Sequence, residues 1–300
     1  VLDIAAELGR GCGSSSWCYS IWASHNWLVG MYPEKAQEEY WADSADVLSS
    51  TSFNPTRAKV TPAKGGYKLG GRWDFSSGCD AAEWAMLGGV AAEGLRWFLV
   101  PRRDYTIEDT WFVSGLRGTG SKDIVIEEAF IPEYRAVNVA DLRAGQSPGR
   151  SIHGSCNYLI PHTTMLSYTL AAPVLGMAQG AVDTFEEQVM GRVTYTTGDK
   201  LGENPSVHIR LSEAEAEVHC ARLIMKYDGE EVFGQARRGE MPSLSQRARC
   251  RRNQAYMAKL AVRAVDRLFE ASGGHVLFNS NPMQRFHRDA HAASHHFGIH

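Results

Sequence analysis

The sequence has almost no excess charge of either sign, with 31 lysine and arginine residues against 34 aspartate and glutamate residues. The net charge of -3 gives no global attraction to nucleic acid or to an anionic membrane. No apolar run of transmembrane length is free of polar residues, and the most apolar segment, residues 165–182, is predicted to be a buried helix. We therefore expect neither nucleic acid nor a membrane as a partner.

Paired cysteine motifs are also absent. The six cysteines are scattered, none forms a C-x-x-C pair, and their spacing suggests neither a disulfide framework nor a zinc knuckle. This usage fits a reducing compartment, so a cytoplasmic location is predicted.

Nucleotide-binding motifs are missing as well. The glycine-rich segment GLRGTGSK, residues 115–122, fits neither G-x-G-x-x-G nor G-x-x-x-x-G-K-[ST]. What the chain does have is 300 residues, of which 44% are hydrophobic, and these suffice for a packed core with a deep pocket.

The hydrophobic pattern changes twice along the chain. Residues 1–46 have helical spacing and are predicted to be the remainder of a helical N-terminal domain. Residues 47–150 contain short β-branched and aromatic runs separated by glycine, which predict a β-barrel domain of antiparallel strands. Residues 151–300 return to helical spacing and predict a helical bundle. The fold class is therefore α+β, and both chain ends are expected to be truncated.

Two long helices have clear start signals. Asn204 followed by Pro205 predicts an N-cap and first turn. Ser243 with Gln246 predicts a capping box, and the helix after it is expected to run to Gly273 over roughly 45 Å.

The C-terminal tail, RFHRDAHAASHHFGIH, holds five of the eleven histidines. On a helix, His287, His291 and His295 share one face and could ligate a transition metal, although spacing alone shows no further ligand. Packing or surface histidines are the commoner explanation. In a third interpretation, one of them, such as His296, faces a pocket as an acid or base. No metal ligand is predicted for the site.

Three other segments could contribute to a site or to a partner surface. Trp73, Ser76 and Ser77 end a strand and could flank a planar ring, or could simply form a turn. His25 lies among aromatic residues that could line a pocket, although a core histidine is commoner. The basic run 247–252 could contact phosphates, but a solvated or interface face explains it better.

Four segments in order resemble the acyl-CoA dehydrogenase superfamily, and more closely its branch of two-component flavin-dependent monooxygenases. They are GGYKLGGRWDFSSGCDAAEW, GLRGTGSKDIVIEEAFIPEYR, PSVHIRLSEAEAEV and SNPMQRFHRDAHAASHHFG. The resemblance implies a helical N-terminal part, a central antiparallel β-barrel and a C-terminal four-helix bundle. It also implies a homotetramer.

One departure separates the two branches of this superfamily. In typical dehydrogenases a glutamate follows the Arg-Asp segment by about eight residues and removes the α-proton of a thioester. Here Arg288 and Asp289 lead to His295 and His296, and no glutamate follows Glu270. The resemblance therefore favours an oxygenase, with an acyl-CoA dehydrogenase that holds FAD tightly and places its base elsewhere as the alternative.

The implied activity is hydroxylation of a phenolic or indolic small molecule through a flavin C4a-hydroperoxide. O2 and a separate NAD(P)H flavin reductase are the implied partners, and reduced FMN or FAD is the implied cofactor. The implied catalytic residues are His296, His25 and Ser77. The implied flavin-binding residues are Trp73, Ser76, Ser77, Ser50, Thr51 and Arg192. A flavin-fold scaffold that binds nucleic acid or metal is the non-enzymatic alternative.

Overall fold

The N-terminal part of the chain is helical, as its spacing predicts. A computed structural model describes residues 1–193 and 198–300. Its first helices are α1 (Leu2–Gly11), α2 (Gly13–Val29) and α3 (Glu34–Tyr40). Helix α1 lies so close to a later helix that a Cβ on Gly9 would stand 2.6 Å from the Pro173 carbonyl oxygen. This close approach anchors the N-terminal helices to the C-terminal ones.

Eight strands follow and form two four-stranded sheets. They are β1 (Ser49–Ser52), β2 (Ala58–Ala63), β3 (Gly66–Ser76), β4 (Trp84–Ala91), β5 (Gly94–Pro101), β6 (Thr106–Glu108), β7 (Lys122–Pro132) and β8 (Ala136–Asn138). The sheet orders are β1-β4-β5-β8 and β2-β3-β7-β6. Buried side chains including Leu69, Phe98 and Ile124 form a core of the strand region.

The antiparallel prediction needs one correction. Strand β1 pairs with β4 in parallel, with Ser49 opposite Trp84, whereas the other strand pairs are antiparallel. A parallel pair requires a crossover connection. Strands β2 and β3, which belong to the other sheet, make that connection.

The C-terminal half consists of long helices. The helices are α4 (Val139–Ala144), α5 (His162–Met165), α6 (Tyr168–Met190), α7 (Pro205–Arg237), α8 (Leu244–Ala271) and α9 (Pro282–Ser294). Asn204 caps α7, and Ser243 with Gln246 forms the capping box of α8. Both predicted start signals are confirmed. Helix α8 ends at Ala271 and is followed by its C-cap residue Ser272 and by Gly273, which has a φ of 70°.

Helix α6 is the central helix of this half. The segment His162–Met190 is long and apolar enough to cross a membrane by length and composition, but 78% of its most apolar stretch is buried inside the protein. Val174, Leu175 and Phe185 are fully buried. The prediction of a buried helix here is confirmed.

Candidate active site

A chain of hydrogen-bonded side chains joins α2 to the end of β3. The indole Nε1 of Trp17 donates to Ser77 Oγ over 3.1 Å, and Ser77 Oγ lies 2.7 Å from Ser121 Oγ. Ser121 Oγ lies 2.7 Å from Thr119 Oγ1, which donates to the Leu116 carbonyl over 2.9 Å. All four side chains of this hydroxyl chain are buried.

The direction of every proton in the hydroxyl chain follows from its two ends. A carbonyl oxygen can only accept a hydrogen bond, so Thr119 donates its single hydroxyl proton to the Leu116 carbonyl. Ser121 must then donate to Thr119, and Ser77 must donate to Ser121. Since Trp17 only donates, Ser77 receives one hydrogen bond and has one acceptor lone pair left. Toward any ligand, Ser77 is therefore an acceptor.

The hydroxyl chain rests on a strained corner at Leu116. This residue has a φ of 52°, which is rare for a side chain of its size. Its N–H donates to Asp289 Oδ1 over 2.7 Å, and its carbonyl also accepts from Trp111 Nε1 over 2.9 Å. The corner therefore ties α9, which carries Asp289, to the end of the strand region.

His296 follows α9 and lies against Trp17. Their rings meet edge to face with centroids 5.7 Å apart. The backbone N–H of Gly298 donates to His296 Nδ1 over 3.0 Å, so this nitrogen is an acceptor and the ring proton sits on Nε2. Burial, assisted by the charge of Arg251, lowers the pKa of His296 to about 4. At neutral pH His296 is an uncharged donor at Nε2.

Arg251 of α8 fixes the turn that presents His296. Its guanidinium donates to the carbonyl of Gly298 over 2.6 Å and to that of Phe297 over 2.7 Å. The Phe297 ring stacks on the imidazole with centroids 4.7 Å apart. The imidazole is therefore held by the two residues that follow it, which Arg251 of α8 fixes in turn.

His25 has the opposite proton arrangement. Its Nδ1 lies 2.6 Å from the Ser49 carbonyl oxygen, which can only accept, so Nδ1 carries the proton and Nε2 is an acceptor. Burial lowers its pKa to about 4, and the ring is neutral. His25 lies on α2 eight residues after Trp17, about 12 Å further along the helix axis. Because Trp17 contacts His296, α2 connects the two histidines.

Trp73 lies in the strand core, a few residues before Ser76 and Ser77. It is fully buried in the strand core, and its indole N–H donates to the Gly88 carbonyl over 2.8 Å. The β3–β7 register shifts between Trp73 and Ser76, so the two residues do not follow simple strand alternation. The packing of Trp73 near a flavin stays a prediction.

Three of the remaining predicted site residues lie close to Ser77 or to His25. Ser76 is fully buried at the end of β3, next to Ser77. Ser50 is fully buried in β1, and Thr51 donates to the Met86 carbonyl over 2.7 Å. Helix α2 packs on β1, so these residues lie near His25.

Arg192, the other predicted flavin-binding residue, lies far from the His296 turn. Leu170, near the start of α6, meets the Gly298 turn, whereas Arg192 follows the other end of α6, about 30 Å away. Its guanidinium donates to the Ser272 carbonyl over 2.8 Å. Within one chain the structure does not bring Arg192 to His296.

Sequence reasoning missed Trp17, Thr119, Ser121, Asp289 and Arg251. Their partners are distant in sequence, as with the 60 residues that separate Trp17 from Ser77. Ser121 lies in the glycine-rich segment 115–122, which fits no phosphate-binding motif. Only the aromatic character around Trp17 gave a usable signal.

The arginines of the basic run have partners inside the protein. Arg247 donates to the Arg143 carbonyl, Arg249 pairs with Asp228, Arg251 holds the His296 turn and Arg252 contacts Asn253. These contacts support an interior structural use of the run more than a nucleic-acid surface.

Comparison with known proteins identifies the family. A family model described as acyl-CoA dehydrogenase, C-terminal domain, matches residues 168–300. The chain is 37% identical over 292 residues to the oxygenase subunit HsaA of a flavin-dependent monooxygenase from Rhodococcus jostii strain RHA1, covering 95% of this chain and 76% of that protein. The chain belongs to this flavin-dependent monooxygenase family.

Two further relatives of this monooxygenase family agree. The FADH2-dependent resorcinol hydroxylase oxygenase component from Rhizobium sp. strain MTP-10005 is 34% identical, over 100% of this chain and 76% of that protein. The crystal structure of 3-HSA hydroxylase from Rhodococcus sp. RHA1 matches with a TM-score of 0.94 and 35% identity, over 99% of this chain and 78% of that one. The predicted acyl-CoA dehydrogenase-like fold and monooxygenase branch are confirmed.

Acid should destabilise the protein in a window to which His25 and His296 contribute, together with the buried His162, whose pKa burial also lowers to about 4. All three have pKa values of about 4 when folded, against an ordinary value of 6.5. Below about pH 6.5 the unfolded chain therefore binds more protons, and the free energy of unfolding falls as the pH decreases toward 4. We expect the unfolding temperature to fall across this window.

The fall in unfolding temperature should be smaller in His25→Gln, while His219→Gln, at an exposed position on α7, is the matched control. A wild-type pH slope in His25→Gln would show that this ring is not neutral in the folded protein.

Proposed function

We propose that this chain is the oxygenase component of a two-component monooxygenase that hydroxylates a phenolic or indolic small molecule. Reduced FMN or FAD would come from a separate NAD(P)H flavin reductase, and O2 is the co-substrate. The observation that carries the proposal is that Trp17 both donates to Ser77 of the hydroxyl chain and contacts the neutral ring of His296. The names of the related oxygenase components agree with this assignment.

Buried polar atoms beside Ser77 fit a flavin ring. Among the residues that the structure describes, Ser76 Oγ and Trp22 Nε1 are buried without a hydrogen-bond partner. Trp22 lies directly against Gly78, where a Cβ would stand 2.7 Å from its ring. A buried unpaired donor costs about 1–3 kcal/mol, so a ligand with polar ring edges would stabilise both atoms. The carbonyls and ring nitrogens of a flavin have that character.

When bound, a reduced flavin supplies the two electrons that activate O2. Ser77, with its proton committed to Ser121, would accept a hydrogen bond from the N5–H of the reduced ring. That bond would help to keep the proton on N5. Ser76, Ser50 and Thr51 would line the same ring, as the family resemblance implies.

The two histidines suit complementary tasks on an aromatic substrate. His25, unprotonated at Nε2, would accept a hydrogen bond from a substrate hydroxyl or indole N–H and so hold the substrate in place. His296, protonated at Nε2, would donate a hydrogen bond to oxygen at the reacting edge. Because the two rings are opposite tautomers, the site could both accept and donate hydrogen bonds near pH 7 without charging either ring.

The position of Arg192 favours an assembly of several chains. Because Arg192 lies about 30 Å along α6 from the His296 turn, its predicted contact with a flavin phosphate requires a neighbouring subunit. We therefore retain the homotetramer as part of the proposal. We also retain the cytoplasmic location, which six free thiols support, and a role without nucleic acid or membrane partners.

The acyl-CoA dehydrogenase alternative lacks its base at the matching position. The segment after Asp289 supplies His295 and His296 in place of a carboxylate. An uncharged imidazole with a pKa of about 4 and a proton on Nε2 is a poor substitute for a thioester α-proton base.

A product screen tests the proposed function. The protein is incubated with a flavin reductase, NADH, FMN or FAD, and a panel of phenols and indoles, and products are identified by mass spectrometry. We expect a product that is heavier than its substrate by one oxygen atom and that takes this atom from labelled O2. Reduction of bound FAD by an acyl-CoA, with no hydroxylated product, would favour the dehydrogenase alternative.

Replacing His296 by alanine should affect turnover much more than flavin binding. Loss of a positioned proton donor typically slows catalysis by about 10²-fold or more, and we expect that loss in product formation. The affinity for reduced flavin should stay within about threefold, since other residues hold the ring. His295→Ala, at the neighbouring exposed position, is the matched control and should keep wild-type turnover. Equal hydroxylation by His296→Ala and the control would remove His296 from the mechanism.

A further inference from the structure

Two histidines of the C-terminal tail meet an aspartate from another helix, away from the hydroxyl chain. His287 and His291 stand one turn apart on α9, with ring centroids 4.5 Å apart. Asp266 of α8 faces both rings. Its Oδ1 lies 3.3 Å from His287 Nε2 and 2.6 Å from His291 Nε2.

The three ligand atoms lie close enough together to reach one small cation after small side-chain rotations. They all lie within 4.8 Å of one another. A tetrahedral Zn²⁺ bound to nitrogen and oxygen at about 2.0–2.2 Å separates its ligand atoms by about 3.3 Å. The His287–Asp266 distance already matches, and the His291–Asp266 distance must lengthen by about 0.7 Å, which side-chain rotation can supply.

The nature of the donors selects the class of metal. Two imidazoles and one carboxylate suit Zn²⁺, Co²⁺, Ni²⁺ or Cu²⁺, whereas Mg²⁺ and Ca²⁺ prefer sites made of oxygen. All three side chains are half-buried, so the remaining coordination positions face water. Such a site binds a metal reversibly, with three protein ligands and solvent.

The site is partly preorganised. The His287 ring stacks on Phe269 of α8 with centroids 4.0 Å apart and an interplanar angle of 21°. Burial lowers the pKa of His287, which favours the neutral ring that a metal needs. Both imidazoles are carried by one helix, so little flexibility is lost when a metal binds.

We propose that Asp266, His287 and His291 form a binding site for a divalent transition metal that links α8 to α9. The site is separate from the flavin chemistry proposed above and does not depend on it. Because α9 leads directly into the His296 turn and α8 carries Arg251, the metal would clamp the two helices that hold this turn.

Metal titration of the untagged, chelator-treated protein tests the site. Co²⁺ is added while its visible absorption is recorded, and Zn²⁺ is then added as a competitor. We expect one Co²⁺ per chain, displacement by Zn²⁺, and a metal-dependent rise in the unfolding temperature. Inductively coupled plasma mass spectrometry after gel filtration gives an independent stoichiometry.

Three variants locate the binding. His287→Gln and His291→Gln should each weaken Co²⁺ binding at least about tenfold, since each removes one of three ligands. His295→Gln leaves the cluster intact and should bind as the wild type does. Circular dichroism and the metal-free unfolding temperature verify that each variant is folded.

The proposal is wrong if the wild type binds no stoichiometric Co²⁺ or Zn²⁺. It is equally wrong if folded His287→Gln and His291→Gln bind as tightly as His295→Gln, because the metal would then lie elsewhere. None of these outcomes depends on flavin binding or hydroxylation, so failure here leaves the proposed function to be judged by the product screen.

Discussion

The left-handed corner at Leu116 is the constraint on which the candidate site depends. Holding a bulky residue at a φ of 52° costs about 1–2 kcal/mol. The hydrogen bond from its N–H to the buried Asp289 carboxylate contributes about 1.5–3 kcal/mol, enough to offset that strain. Its carbonyl accepts from Thr119 and so sets the direction of the hydroxyl chain that ends at Ser77. One corner thus joins the C-terminal helices to the strands and determines which way the site's hydroxyls point.

The same packing determines the protonation of the site. His25 and His296 both stay neutral because burial penalises a charged imidazole, yet backbone groups select opposite tautomers for them. A carbonyl fixes the proton of His25 on Nδ1, whereas an N–H fixes the proton of His296 on Nε2. Helix α2 places Trp17 against both Ser77 and the His296 ring. Proton donors and acceptors are therefore arranged by the fold before any ligand binds.

The sequence predicts the parts of this arrangement that are local. Caps such as Ser243 with Gln246 are set by neighbouring residues, and the missing glutamate after Glu270 favours an oxygenase. The orientation of Ser76 and Ser77 cannot be predicted from strand alternation because the β3–β7 register shifts between Trp73 and Ser76. The distance of Arg192 from His296 follows from the length of α6. The hydroxyl chain could not be predicted because it joins residues that are far apart in sequence. Asp266 reaches His291 only because α8 and α9 pack together.

The central claim is that Ser77 can accept but not donate a hydrogen bond at the flavin N5. The most direct test compares the affinities of reduced and oxidised flavin for the wild type and for Ser77→Ala under anaerobic conditions. The wild type should prefer reduced flavin, whose N5 carries a proton, and Ser77→Ala should lose about fivefold to tenfold of that preference. Equal affinities in the wild type, or an undiminished preference in Ser77→Ala, would contradict the account.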